Sequence, residues 1–187
     1  MKKVKVVAVS GSLRFGSYNR KALKIATNFL KESEAEVVEV DLKTLAVPVY
    51  DEDIENKGLP ESVNKLKLII EAGDVILIAS PEYNHSIPGS LKNAIDWASR
   101  GGNSFKGKVG AVFGASTGRF GTARGQYHLR QVLQGLGVFV VPTPEVFISN
   151  AESAFDGDGF LINPKTADLL KQLIKKTLEL AINVKNK

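Results

Sequence analysis

Short apolar runs that alternate with amphipathic segments constrain the fold of this chain most strongly. The runs lie at residues 4–9, 36–41, 74–79, 108–115 and 138–141, and several are rich in valine and isoleucine. Such short, β-branched runs are typical of strands that are buried on both faces. Because helical patterns separate them, the sequence predicts an α/β fold: a doubly wound, five-stranded parallel sheet with helices on both faces.

Five helices are predicted from apolar spacing and from end signals. Asn163 is expected to cap the last helix, with Pro164 at its first position, and Pro60 is expected to open an earlier helix. The stretches 47–59 and 149–163 are predicted to be irregular. No internal repeat or linker is present, so residues 1–187 are predicted to form one domain. The predicted helices begin near Asn19, Pro60, Ile87, Leu129 and Pro164.

Composition excludes several classes of function. The chain has no cysteine and only two histidines, so disulfides, thiolate catalysis and a cysteine- or histidine-rich metal site are not expected. The net charge is +5, but no basic stripe carries interleaved aromatics, and nucleic-acid binding is not predicted. No apolar run approaches the ~20 residues that span a bilayer, and residues 1–9 lack a signal-peptide pattern. We therefore expect a cytoplasmic protein without a membrane partner.

Three loops follow strands that are expected to be central in the sheet: Ser10–Asn19, Pro81–Ser86 and Ser116–Gly121. In a doubly wound sheet, ligands bind outside the carboxyl ends of the strands, near the switch in strand order. The three loops are therefore expected to meet at one ligand site.

The first loop has the residues of an anion site. Ser12, Ser17 and Asn19 offer side-chain donors, Arg14 offers a charged one, and a helix N-terminus follows directly. Residues 11–16 match the first half of a P-loop, but the lysine that contacts nucleotide phosphates is missing, and no G-x-G-x-x-G is present. A phosphate-monoester site and an ordinary capped loop both remain open.

The second and third loops offer an aromatic ring and a glycine-rich turn. Tyr83 and Asn84 stand where a flat ring could be covered and its polar rim contacted, although an ordinary turn fits as well. Gly114–Gly118 matches the G-x-S-x-G of serine hydrolases. However, only His128 follows Ser116 and no carboxylate lies between them, so the order of a catalytic triad fails.

Together the three loops resemble those of the NADPH-dependent FMN reductases, flavodoxin-like enzymes that include chromate and quinone reductases. The resemblance covers nearly the whole chain, and it rests on GSLRxxSxN (11–19), PEYNxSxPGxLKNxxDW (81–97) and SxGxxG (116–121). It implies the sheet order 2-1-3-4-5, bound FMN, NAD(P)H as co-substrate, and a homodimer or homotetramer.

The resemblance also implies roles for individual residues. The first loop would hold the FMN phosphate, the second would lie beside the isoalloxazine ring, and the third would line the remaining side. No side chain is expected to act as a catalytic nucleophile or acid. The implied cofactor-binding residues are Ser12, Arg14, Gly16, Ser17, Tyr18, Asn19, Pro81, Glu82, Tyr83, Asn84, Ser116, Thr117 and Gly118.

The predicted function is thus an FMN-dependent NAD(P)H oxidoreductase that passes electrons to a small-molecule acceptor such as a quinone, free flavin or chromate. The first alternative is a flavodoxin-like electron carrier without NAD(P)H turnover, although flavodoxins are usually acidic and this chain is basic. The second alternative is a serine hydrolase that uses Ser116. The sequence leaves the physiological acceptor and the choice between NADH and NADPH open.

Overall fold

A parallel sheet of strand order 2-1-3-4-5 forms the centre of the structure, a computed structural model that describes residues 3–186. The predicted order is therefore confirmed. A sixth, two-residue strand was not predicted: β6 pairs with the last two residues of β4 rather than extending the main row. The strands are Lys5–Ser10 (β1), Glu36–Val40 (β2), Val75–Ala79 (β3), Val109–Ala115 (β4), Phe139–Val140 (β5) and Phe147–Ile148 (β6).

Five helices of ten or more residues agree with the predicted ones. Of three short helices that were not predicted, α3 and α7 lie in the stretches that were expected to be irregular, and α2 lies just before the first of them. None of the helices in the described part of the chain combines the length and the hydrophobicity needed to cross a membrane. The helices are Tyr18–Glu32 (α1), Leu42–Leu45 (α2), Glu52–Glu55 (α3), Glu61–Ala72 (α4), Gly89–Ala98 (α5), Ala123–Gly135 (α6), Ala151–Ala154 (α7) and Pro164–Lys185 (α8).

Two hydrophobic layers enclose the sheet, one on each face. Val6 and Ala8 point to a cluster with α1 and α8, whereas Val7 and Val9 point to a cluster with α4, α5 and α6. This alternation follows from the period of two along a strand. Since both faces are covered, continuous apolar runs were the correct sign of central strands.

Helix ends follow the sequence signals closely. Ser17 caps α1 by accepting a hydrogen bond from the Asn19 N–H, and Asn163 caps α8, with Pro164 as its first residue. Pro60 was predicted to be the first helical residue, but it lies at the cap position and α4 begins at Glu61. Because the helices start at these positions, the N-terminus of α1 lies directly behind the loop that follows β1.

Gly114 lets the end of β4 approach the end of β3 closely. A Cβ atom at this position would lie 2.1 Å from the Ser80 carbonyl oxygen and 2.4 Å from the Thr122 hydroxyl oxygen. Both neighbours belong to the loops that follow the strands, so a side chain here would push the loops apart.

Gly114→Ala is expected to lower the free energy of unfolding by about 1–3 kcal/mol, because the added methyl group meets backbone atoms. Gly135→Ala is the matched control, since a Cβ there has no neighbour within 4 Å and an alanine favours the helix. Urea unfolding of both variants measures the difference. Equal stability of the two variants would show that the β3 and β4 ends are free to separate.

Candidate functional site

Three loops meet at the carboxyl edge of the sheet, because β1, β3 and β4 are neighbours there. Two hydrogen bonds join the first loop to the elements on either side of the second loop: the Gly11 N–H donates to the carbonyl of Ala79 at the end of β3, 2.9 Å away, and the hydroxyl of Ser90 in α5 donates to the Gly11 carbonyl. Asn19 and Glu82 make the remaining connections, as described below. The site is therefore a set of loop ends held together by the sheet.

The first loop is shaped by its own serines. The Ser12 Oγ accepts from the Arg14 N–H at 3.3 Å and the Ser17 Oγ accepts from the Asn19 N–H at 3.2 Å, and both serines are almost fully buried. Each hydroxyl therefore keeps its own hydrogen for a ligand. The backbone N–H groups of Gly16 and Tyr18 donate to no group within residues 3–186. This end of α1 thus offers several free donors to an anion.

Arg14 and Tyr18 flank these free donors. Arg14 is exposed, and its guanidinium carbon lies 5.3 Å from the centre of the Tyr18 ring. Tyr18 also contacts Phe155, whose ring is stacked on it at 5.9 Å with an interplanar angle of 11°. Tyr18 therefore supports the position of Arg14 at the mouth of the loop.

Asn19 connects the first loop to β4. Its side-chain Nδ2 donates to the Ala115 carbonyl at 2.9 Å, and its Oδ1 accepts from the Ala115 N–H at the same distance. The residue is buried, so its carboxamide satisfies both backbone groups of Ala115 away from water. The sequence suggested a direct phosphate contact, whereas the structure engages this side chain in joining two loops.

Asn19→Ala is expected to lower the free energy of unfolding by about 1–3 kcal/mol, because the buried Ala115 groups lose their partner. Asn28→Ala, an exposed change on the same helix, is the control and should be close to neutral. Thermal and urea unfolding distinguish the two variants. If Asn19→Ala is as stable as Asn28→Ala, the link between α1 and β4 contributes nothing.

The second loop ends in a tight hairpin. Tyr83 and Ser86 exchange backbone hydrogen bonds of 2.9 and 3.0 Å, and the two residues between them, Asn84 and His85, have positive φ angles of 49° and 66°. Two such residues form the turn typical of a two-residue hairpin. Tyr83 is about half exposed at 51%, and Pro81 is buried below it. The loop thus presents an aromatic ring on a rigid support.

Glu82 points away from the hairpin and toward α6. Its Oε2 accepts from the Gly125 N–H at 3.0 Å, and its Oε1 lies 2.6 Å from the Arg124 Nη2. Burial alone would raise the pKa of this carboxyl group, but the Gly125 N–H and the Arg124 guanidinium outweigh that effect and hold the pKa below its ordinary value. Glu82 is therefore ionised near neutral pH.

The third loop rests on β6. The Ser116 N–H donates to the Ile148 carbonyl at 3.0 Å, and the Ser116 hydroxyl lies 3.3 Å from the Gly118 carbonyl. Thr117 and Gly118 are exposed next to it. The unpredicted strand thus supports a loop that the sequence had marked as part of the site.

The two histidines of the chain contact groups other than Ser116. His85 lies 3.3 Å from the Arg124 Nη1, and the Nδ1 atom of His128 lies 3.1 Å from the Ser86 hydroxyl. Within residues 3–186, the Ser116 hydroxyl bonds only to the Gly118 carbonyl. A serine hydrolase needs a histidine on its nucleophile, so the geometry does not support this alternative.

Sequence reasoning missed the groups that connect the loops to each other. Arg124 and Gly125 hold Glu82, and Gly114 allows the close approach of β3 and β4. The glycine at the end of β4 was the one signal available for these contacts, and no local pattern indicated the partner of Glu82. These contacts join residues more than 30 positions apart.

The comparisons with known proteins agree with this arrangement. The family model described as NADPH-dependent FMN reductase matches residues 4–153. The chain belongs to the NADPH-dependent FMN reductase family. The predicted family is thus confirmed, and the matched range contains all three loops.

Individual members of the NADPH-dependent FMN reductase family and related structures are similar over nearly the full chain. An NAD(P)H-dependent FMN reductase of Pseudomonas aeruginosa is 46% identical over 174 residues, which cover 92% of each protein. An NAD(P)H:quinone oxidoreductase of Solanum tuberosum is 41% identical, over 98% of this chain and 96% of that protein. The structure of the flavoenzyme FerB, an NAD(P)H:acceptor oxidoreductase of Paracoccus denitrificans, superimposes with a TM-score of 0.86 at 36% identity, over 96% and 98% of the two chains.

The residues of the site fit the two ends of an FMN molecule. Free N–H groups at the start of α1, two serine hydroxyl hydrogens and Arg14 suit a phosphate dianion. The exposed Tyr83 ring and the open backbone of the third loop suit a flat, polar-edged ring. The donor set of this family member is therefore compatible with FMN.

Proposed function

We propose that the protein is an FMN-dependent NAD(P)H oxidoreductase that delivers electrons to a quinone, free flavin, chromate or a similar small acceptor. The enzyme class and the cofactors FMN and NAD(P)H, predicted from the sequence, are confirmed by the family and its named members. One observation of the structure supports the proposal most: the phosphate-type loop and the aromatic loop lie side by side on β1 and β3.

A quinone is the acceptor that the relatives favour. Besides the plant NAD(P)H:quinone oxidoreductase, a 2-hydroxy-1,4-benzoquinone reductase of Burkholderia is 39% identical over 175 residues. A quinone is flat and apolar with two polar ends, which suits an exposed aromatic side chain beside free backbone donors.

We assign the binding residues by loop. Ser12, Arg14, Gly16, Ser17 and Tyr18 would hold the phosphate group. Asn19 would contribute mainly by holding the loop to β4. The ring would lie against the second loop, contacting Pro81, Tyr83, Asn84 and the backbone of Glu82, and against the third loop, contacting Ser116, Thr117 and Gly118.

The chemistry of the reaction belongs to the cofactor, and the chain provides position and charge. Bound FMN supplies a centre that accepts a hydride from NAD(P)H and returns electrons to an acceptor. The three loops would hold this centre at the carboxyl edge of the sheet, where two flat substrates could reach it in turn. Backbone donors of the loops would contact its polar rim. No protein nucleophile or acid is required, and the site offers none at Ser116.

We further propose that the chain acts as one FMN-binding domain over residues 1–187, in the cytoplasm, as a homodimer or homotetramer. NAD(P)H is an intracellular reductant, which supports the location. Exposed apolar side chains near the loops support the oligomer: Phe15 is 95% exposed, and Tyr83 and Phe120 are about half exposed.

Anaerobic addition of NADPH, and separately of NADH, to the FMN-loaded protein tests the function. We expect the flavin absorption bands to bleach, and a quinone added afterwards should restore them. A protein that binds FMN but stays oxidised with both reductants would be an electron carrier instead. A protein that binds no FMN would contradict both functions.

Arg14→Ala is expected to weaken FMN binding by about 1.5–3 kcal/mol, the worth of a hydrogen bond to a charged group. Flavin fluorescence quenching measures the affinity. Lys171→Ala is the control: it also removes a cation that lies over an aromatic ring, at 5.7 Å from Phe29, and should leave the affinity unchanged. Equal affinities of the two variants would remove Arg14 from the site.

A further inference from the structure

The start of α6 lacks a capping side chain of its own. Thr122, at the cap position, has a φ angle of 74°, and its side chain accepts from the Gln126 side chain rather than from a backbone N–H of the helix. Glu82 supplies the missing acceptor from another loop, through its 3.0 Å bond from the Gly125 N–H. A carboxylate at this position also faces the positive end of the helix dipole. The second loop therefore caps the helix that follows the third loop.

Arg124 fixes the same carboxylate from a second direction. Its Nε and Nη2 atoms both approach the Glu82 Oε1, at 2.7 and 2.6 Å, while its guanidinium carbon lies 4.5 Å from the centre of the Phe120 ring. The Nη1 atom faces His85. Arg124 is thus held between the hairpin of the second loop and the end of the third.

The backbone of the second loop also lies close to the start of α6. Gly125 has no side chain, and a Cβ atom there would lie 3.0 Å from the Ser86 carbonyl oxygen. The Glu82 side chain is only 7% exposed, although Arg124 is 41% exposed, so salt screens the pair less than it would a pair of exposed charges. Glu82 therefore ties the second loop to the start of α6, directly after the third loop.

We propose that Glu82 is a positioning residue for the flavin ring: it fixes the gap between the two ring-binding loops and balances the positive charge of Arg124 and of the α6 N-terminus. The inference rests on the proposed function, because it requires FMN between these loops. Glu82 was expected to contact the cofactor, but its carboxylate oxygens are engaged by Gly125 and Arg124. Its influence on the ring therefore passes through the loops and through its charge.

The negative charge of Glu82 predicts the direction in which the flavin reduction potential should change when this residue is replaced. Reduction adds negative charge to the flavin, so a negative side chain nearby opposes reduction and a positive one favours it. Glu82→Gln keeps the size of the side chain and an acceptor oxygen but removes the charge, which leaves Arg124 and the helix end uncompensated. A residue that acts only on fold stability would not shift the potential in a defined direction.

The reduction potential of the FMN-loaded protein, measured by spectroelectrochemistry, tests the proposal. Glu82→Gln is expected to shift the potential to more positive values and to weaken binding of oxidised FMN by about tenfold. Arg124→Gln is expected to shift the potential to more negative values. In the flavin-free protein, the Gly125 amide should exchange faster with solvent in Glu82→Gln than in the wild type.

Asp74→Asn is the matched control. Asp74 also accepts a backbone N–H, from Lys5 at 2.9 Å, and a cation, Lys185 at 2.8 Å, and its pKa is likewise lowered, but it lies at the opposite edge of the sheet. This variant should lower stability and leave the potential unchanged. The same potential in Glu82→Gln, Asp74→Asn and wild type would overturn the proposal.

A double variant covers the case in which Glu82→Gln does not fold. Glu82→Gln with Arg124→Gln removes both charges together and should restore a potential close to that of the wild type. If the potential of the double variant is not close to that of the wild type and does not lie between the potentials of the two single variants, charge balance between Glu82 and Arg124 is contradicted. If the wild type binds no FMN, the proposed function fails as well, whereas a normal wild type with an unshifted Glu82→Gln rejects only the role of Glu82.

Discussion

The pair of hydrogen bonds between Asn19 and Ala115 is the interaction on which the site depends most. It joins the first turn of α1 to the end of β4, across β3, and so brings the first and third loops to a common edge. Burial makes it costly to break, since Ala115 would keep an unpaired N–H and carbonyl. The free donors at the start of α1 can face a ligand only because the helix is held at this position.

The site is built mainly from backbone groups, and side chains keep those groups in place. Ser12 and Ser17 shape the first loop, Glu82 and Arg124 hold the second loop to α6, and the short strand β6 supports the third. Such an arrangement suits a reaction in which the cofactor carries the chemistry, because the protein must orient a ring and leave both substrates access to it.

Local sequence patterns predicted the main strands and helices, but they did not predict the contacts between residues that are far apart in the chain. The main strands, the long helices and the cap at Asn163 follow from runs, spacing and end signals that lie within a few residues of each other. The strand order was implied by the family resemblance instead. β6 was missed because two residues carry no periodicity. The bonds of Asn19 and Glu82 were missed because their partners lie 96 and 43 positions away, and no pattern in one chain reveals such pairs. The loops that form the site were predicted, but the contacts that bind them together were not.

An amide chemical-shift titration of the flavin-free protein with FMN tests the central claim most directly. The amides of Gly16, Asn84 and Gly118, one in each loop, should shift together, while those of Gly73 and Gly107 at the opposite edge should not. A cleft of about 390 Å³ between α1 and the end of β2, lined by Arg20 and Asp41, is a competing location. Shifts confined to that cleft, or to the first loop alone, would contradict a site that is shared by the three loops.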